Sequence, residues 1–233
     1  MDRKLLAVGA AALLVAGCAS VRKDMGIGGS GGPTVDDLQV ARLSPDQLGK
    51  VNQMRSQVAQ ADQQVARAEV AVRDAQNELN AAQAQSKVID QQINAINARL
   101  KAAREARNQQ TESQAKADLS AAESRHQVEQ ARVQSAKAQV ELANAQRTLQ
   151  QDELTLARAQ LENSKYEALK NANDPAAGKY KPAEFQDATA KAEDAVTTAR
   201  REVTTKQTNY QASYQAWQRI QQKLTATSRP PPG

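Results

Sequence analysis

Large side chains are what this chain has least of. Its 233 residues include one Phe, one Trp and four Tyr, so aromatics make up only 3%. So few rings cannot fill a conventional globular core. There is one histidine, His126, and one cysteine, Cys18. A lone thiol excludes an intrachain disulfide, and a lone imidazole without thiol companions excludes the usual zinc spacings. Glycine and proline are confined to the two ends and one short break, with neither between Val51 and Asp174. That leaves no Gly-rich phosphate loop, and no nucleophile–base arrangement stands out. No cofactor is implied, and the composition gives no reason to expect an enzyme. The 31 basic and 26 acidic residues leave a net charge of +5, scattered with no Lys/Arg block. Scattered charge removes the usual basis for nucleic-acid binding.

The N-terminus carries a specific pattern. Met1-Asp2-Arg3-Lys4 is a short basic head, and Leu5 to Gly17 follows without a charge. That is the layout of a secretory signal, since a spanning helix needs roughly 20 apolar residues. The run ends in Val15-Ala16-Gly17-Cys18. These four residues resemble the lipobox of bacterial lipoproteins. The resemblance implies removal of residues 1–17, diacylglycerol transfer to the Cys18 sulfur and acylation of the new amino terminus. Ala19, rather than Asp, follows Cys18. By resemblance to the Gram-negative sorting rule, that implies the outer membrane, with the body in the periplasm.

Residues 18–43 contain Gly26-Ile27-Gly28-Gly29-Ser30-Gly31-Gly32-Pro33, a tether composition. A coil of about 25 residues has an r.m.s. reach near 28 Å. Thr34–Leu43 has room for a helical turn or two. At the other end, 227–233 with Pro230-Pro231-Pro232 cannot continue a helix.

What the body does have is regular helical periodicity. Ser44-Pro45-Asp46-Gln47 is a helix start, with Ser44 as N-cap, Pro45 at the first position and Gln47 completing a capping box. Spacings of three and four then give Val51, Met54, Val58, Ala61, Val65, Ala68, Val72, Ala75, Leu79 and Ala82, and after Ser86 continue through Ile89, Ile93, Ile96, Leu100 and Ala103. This is a heptad seam. Arg104–Gln114 turns polar. Asn108 is a candidate left-handed helix end, and Thr111 with Gln114 a candidate new cap. A turn near 107–112 makes two arms, each about 93 Å long. Against a turn, the frame continues unshifted through Val128, Ala131, Ser135, Ala138, Leu142, Ala145, Leu149, Leu156 and Ala159, broken by Asp152. One continuous helix near 190 Å would keep that frame. The expected fold is therefore all-α. It is either a long antiparallel coiled-coil hairpin over 44–174 or one continuous helix, followed in both cases by a third helix.

The third helix is announced by the break at 175–182, containing Pro175 and Gly178, and spans 183–226. Its seam is Phe185, Thr189, Ala192, Val196, Ala199, Val203, Lys206, Tyr210, Ser213, Trp217, Ile220 and Leu224. At about 66 Å it would fold back over helix two down to about residue 130, on the membrane-proximal part of the hairpin. A second apolar row, Val133, Val140, Leu154 and Leu161, gives helix two the wider stripe that two neighbours require.

Two further resemblances concern the body. Lys181-Pro182-Ala183-Glu184-Phe185-Gln186-Asp187-Ala188 with Lys191-Ala192 and Ala195 resembles the Pro-led helix of an uncharacterised family of alanine-rich envelope lipoproteins. Gln57 to Leu161 resembles the helical hairpin of periplasmic adapter proteins in tripartite efflux and secretion systems. The anchor and the coiled-coil body together lead to the expectation of an outer-membrane-anchored spacer that docks an envelope protein partner. The adapter resemblance implies a transport accessory whose tip meets a channel. The membrane, through lipid on Cys18, and an envelope protein are the partners expected, with a homo-oligomer as a further option. Candidate partner contacts are Arg104, Arg107, Gln109 and Glu112 at the turn and Tyr214 on the third helix. His126 falls on a heptad position facing away from the seam and is expected to be solvated.

Overall fold

A computed structural model describes residues 32–227. The expected signal segment, Cys18 and most of the glycine-rich tether lie outside the described residues, as does the proline-rich tail from 228.

The protein is an all-helical hairpin with a third helix laid against it. A short α1 (Asp37–Val40) precedes α2 (Pro45–Glu105) and α3 (Gln109–Asn171). A single 3-10 turn (Pro175–Lys179) leads into α4 (Pro182–Thr227). α2 and α3 have 61 and 63 residues, about 92 and 95 Å of helix. α3 lies in the middle, packed against α2 and α4, while α2 and α4 form no packed interface with each other among the described residues. The continuous-helix alternative is thereby replaced by the hairpin.

Local chemistry starts and stops each rod. Pro45 occupies the first turn of α2, and the Ser44 N–H donates to Gln47 Oε1 at 3.0 Å, the reciprocal half of a capping box. α2 ends as Arg107 enters the left-handed region at φ 53°, with the Asn108 N–H donating to the Ala103 carbonyl at 3.0 Å. This six-to-one closure satisfies a carbonyl of the last turn. Asn108 then caps α3, its Oδ1 accepting from the Thr111 N–H at 3.0 Å. The sequence places both roles too late: the left-handed residue is Arg107 rather than Asn108, one residue earlier, and the cap is Asn108 rather than Thr111, three residues earlier. A left-handed Arg costs about 1 kcal/mol, but it frees the Asn108 side chain for the cap, worth a similar amount. The same device closes α3: Asn173 has φ 51°, and Asp174 caps the following turn by accepting from Ala176 at 2.8 Å.

The seam expected for α2 is the face it buries. Val51, Ala75, Leu79, Ala82, Ile89, Leu100 and Ala103 are fully buried, and every other member is half-buried. The seam expected for α4 is also the inward one, with Phe185, Ala192, Val196 and Ala199 fully buried.

On α3 the two rows exchange roles. Val133, Ala136 and Val140 pack with Leu79 and Ala82 of α2. The row that preserves the α2 heptad frame faces α4 instead: Ala131 shares a groove with Ile220, and Asp152 one with Asp194 and Ala199. The turn at 106–108 sets a new rotation for α3, so the phase shared by the two sequences is not a shared interface. Ala138 accordingly is not the neighbour of Ala82.

The densest core lies at the end away from the hairpin turn. Val35, Val40, Leu43, Val51, Tyr166, Leu169 and Phe185 form one buried cluster. Tyr166 stacks on Phe185 at 5.1 Å and Tyr180 meets it edge-on at 6.1 Å. The tether expected over 18–43 is thus shorter at its far end. From Val35 on, the chain is a strap folded across the base of the rod, where Val40 is wholly buried.

Candidate functional site

The hairpin turn and its first side-chain layer form the tip. Arg104 Nε lies 3.3 Å from Glu112 Oε1, and Lys116 Nζ reaches the same oxygen at 2.8 Å. Those two cations, Lys116 first, hold the Glu112 carboxyl below its ordinary pKa. One layer down, Arg99 pairs across the helices with Asp118 at 3.2 Å, and Gln114 donates to Asp118 at 2.9 Å. The candidate tip residues are therefore divided. Arg104 and Glu112 staple the turn to itself, whereas Arg107 and Gln109 are exposed around it. Beneath them Ile89 and Leu100 are 6% and 7% exposed, and Ile93 and Ile96 are half-buried. The bulky part of the α2 seam is thus mostly consumed by pairing with α3.

His126 faces α2 rather than solvent. Its Nε2 sits 2.9 Å from Asp90 Oδ1, with the Gln130 amide at 3.1 Å. The exchange of rows on α3 brings residue 126 into that interface, which a continued heptad frame could not show.

On α4, Tyr214 is 37% exposed between Tyr210, ring centroids 5.9 Å apart, and Trp217 at 5.4 Å. Tyr210 and Trp217 are half-buried on the seam, and the Trp217 indole N–H is buried without an acceptor. All six aromatics of the chain therefore gather in two groups, three at the base and three on the last turns of α4.

Shallow grooves run along the rod. One is walled by Ser86 of α2 and Ile220 of α4 over a floor of Gln127, Gln130 and Gln134. It offers amides and apolar carbon but no titratable group. Another holds Asp152 beside Asp194 and Glu202. Burial pushes the Asp152 carboxyl above its ordinary pKa. Among the described residues no cluster of three His, Cys, Asp or Glu side chains could hold a metal ion, and no helix is long and apolar enough to cross a membrane.

Among the described residues, the base contains the best-built polar site. Lys165, whose side chain is 6% exposed, reaches Glu162 Oε1 at 2.8 Å and Asp37 Oδ1 at 3.0 Å. The Val35 N–H donates to Glu162 Oε2 at 2.7 Å, and Arg55 joins Asp37 at 3.2 Å. Burial works against the charge on Lys165, but the hydrogen bonds it donates to Glu162 and Asp37 carry its pKa above the ordinary lysine value. Asp37 is lowered, first by its bond to Lys165. Tyr180 completes the clasp, its hydroxyl accepting from the Asp36 N–H at 3.3 Å and donating to Gln39 at 3.0 Å. Sequence reasoning missed this site. The available signals were Asp36 ahead of Asp37-Leu38, and apolar Val35, Val40 and Leu43 in a stretch too short to show a period.

Comparison with known proteins found no matching family model, curated protein or solved structure.

Proposed function

We propose that the protein is an outer-membrane-anchored lipoprotein whose helical body is a spacer that docks an envelope protein, a structural rather than catalytic role. Support for the address comes from Val15-Ala16-Gly17-Cys18 and Ala19 in the sequence. The observation that carries the reading is the polarity of the rod. The chain enters the fold at its base, where the strap meets the end of α3 and the start of α4. The hairpin turn lies about 90 Å away at the other end of α2. A lipid on Cys18 would hold the base near the bilayer and present the tip at a distance.

Labelling with a radioactive fatty acid tests the anchor. The full chain should incorporate label and Cys18→Ala should not, leaving unprocessed precursor. Normal processing and release of Cys18→Ala would overturn the reading. Docking at the tip is tested separately by the tip substitutions in the Discussion. A channel protein captured there would favour the transport-accessory role over the spacer.

A further inference from the structure

α2 has a face that the fold leaves unused. Several of its charged side chains elsewhere are paired with other elements: Arg55 with Asp37, Glu78 with Arg132, Asp90 with His126 and Arg99 with Asp118. Arg67, Glu69, Arg73 and Asp74 are exposed and make no ion pair among the described residues. They surround Val70, which is 46% exposed; farther along α2, Val88 is 45% exposed. Five turns of helix separate the two valines, so they point the same way about 27 Å apart. At 100° per residue this direction is opposite Ala68, Val72 and Ala75, the side buried against α3.

The charges border the valine face in a definite order. Glu69 and Arg73 lie on one flank, Arg67 and Asp74 on the other, all within two turns. A parallel second copy, related by a twofold axis along the rods, sets each flank against the opposite flank at the same height. Glu69 then meets the other copy's Arg67, Arg73 meets its Asp74, and each valine meets its own counterpart. Symmetry makes every pair twice. An antiparallel copy aligned on the valines matches only Glu69, with Lys87, and leaves Arg67, Arg73 and Asp74 opposite uncharged residues. We propose that this face of α2 is a self-association surface on which two copies pair in parallel through Val70 and Val88, framed by these ion pairs. The pairing holds with or without a lipid on Cys18. In an anchored chain it places both bases at one membrane.

The test uses the full chain in detergent. Sedimentation should give twice the mass of a single processed chain. Under mild oxidation, Val70→Cys alone and Val88→Cys alone should each form a disulfide-linked dimer above the background of the wild type, whose only thiol is Cys18. Crosslinking only when the two variants are mixed would mean antiparallel pairing, and no crosslinking would mean no such face; either result overturns the proposal. Glu69→Arg should weaken association roughly tenfold, as two ion pairs become repulsions, and adding Arg67→Glu should restore it. Association indifferent to Glu69→Arg would also overturn it.

Discussion

Ala82 of α2 shares a buried cluster with Ala136 of α3, and Ala138, the residue that continues its heptad frame, is not part of it. Both alanines are buried, Ala82 at 0% and Ala136 at 4% exposure. Small side chains at this level let the helix axes approach at the short end of the usual 8–10 Å range. Cysteines at 82 and 136 should close an intramolecular disulfide at high dilution, visible as a mobility shift on a non-reducing gel. Cysteines at 82 and 138 should close far less readily. Equal closure of both pairs would contradict the rotation of α3 described above.

The clasp at the base should be the most costly polar site to damage. Lys165→Met removes the cation that Glu162 and Asp37 share, leaving two carboxylates close together. The expected cost is about 2 kcal/mol, below the usual figure for breaking a buried pair because Asp37 stays mostly in water. Hydrogen exchange should show amides 35–43 losing protection while α2 and α3 midway along the rod keep theirs. An unchanged strap would show that the apolar cluster alone holds it.

The same clasp fixes a pH window. Asp37 is lowered, so its contribution is present above the ordinary Asp value of 3.8 and is lost as pH falls through the folded value. Lys165 is raised, so its contribution is complete below the ordinary Lys value of 10.5 and is lost as pH rises through the folded value. Protection of the strap should therefore be flat between those limits and fall on both sides. A fall near neutrality would point to some other group.

Asp152 predicts the opposite sign. Its carboxyl is raised by burial against α4, so it costs stability when ionised and the penalty fades as pH falls through its folded pKa. Asp152→Leu should stabilise the fold by about 1 kcal/mol at neutral pH, measured by thermal unfolding. Destabilisation instead would mean that the groove around Thr148 and Thr198 needs the carboxylate.

At the tip, replacing Arg104, Arg107, Gln109 and Glu112 with Ala should change stability little, as exposed substitutions usually do. Crosslinking to an envelope partner should fall sharply. If capture survives these changes and is lost in Tyr214→Ala, the docking site lies on α4 beside Trp217 and the tip is structural.

Much of the fold was legible because long helices repeat their instructions. About fourteen turns of Val, Ala, Ile and Leu spacing from Val51 to Ala103 define which face of α2 is buried, and Pro182 with Phe185 placed α4. What could not be read is relative rotation. α3 carries two apolar rows, and nothing local says which belongs to which neighbour; that depends on the three residues of the turn, where Arg107 adopts an unfavourable conformation. The strap failed for a different reason. Val35, Val40 and Leu43 are too few to show a period, and their partners Tyr166, Leu169 and Phe185 are remote in sequence. Of the tip candidates, position was legible but pairing was not, since Arg104 with Glu112 requires the turn geometry first.

That remoteness has a consequence for the order of events when the chain folds. The two hairpin-like junctions join neighbours in sequence and can zip outward from each turn at little entropic cost. The strap cannot. The Val35 N–H finds its acceptor 127 residues later, and Asp36 and Gln39 meet Tyr180 across 144 and 141. Its docking surface does not exist until α3 is complete and α4 has begun. The segment made early is thus among the last to settle, and protection of Val35–Leu43 against exchange should appear as the slow final phase of refolding.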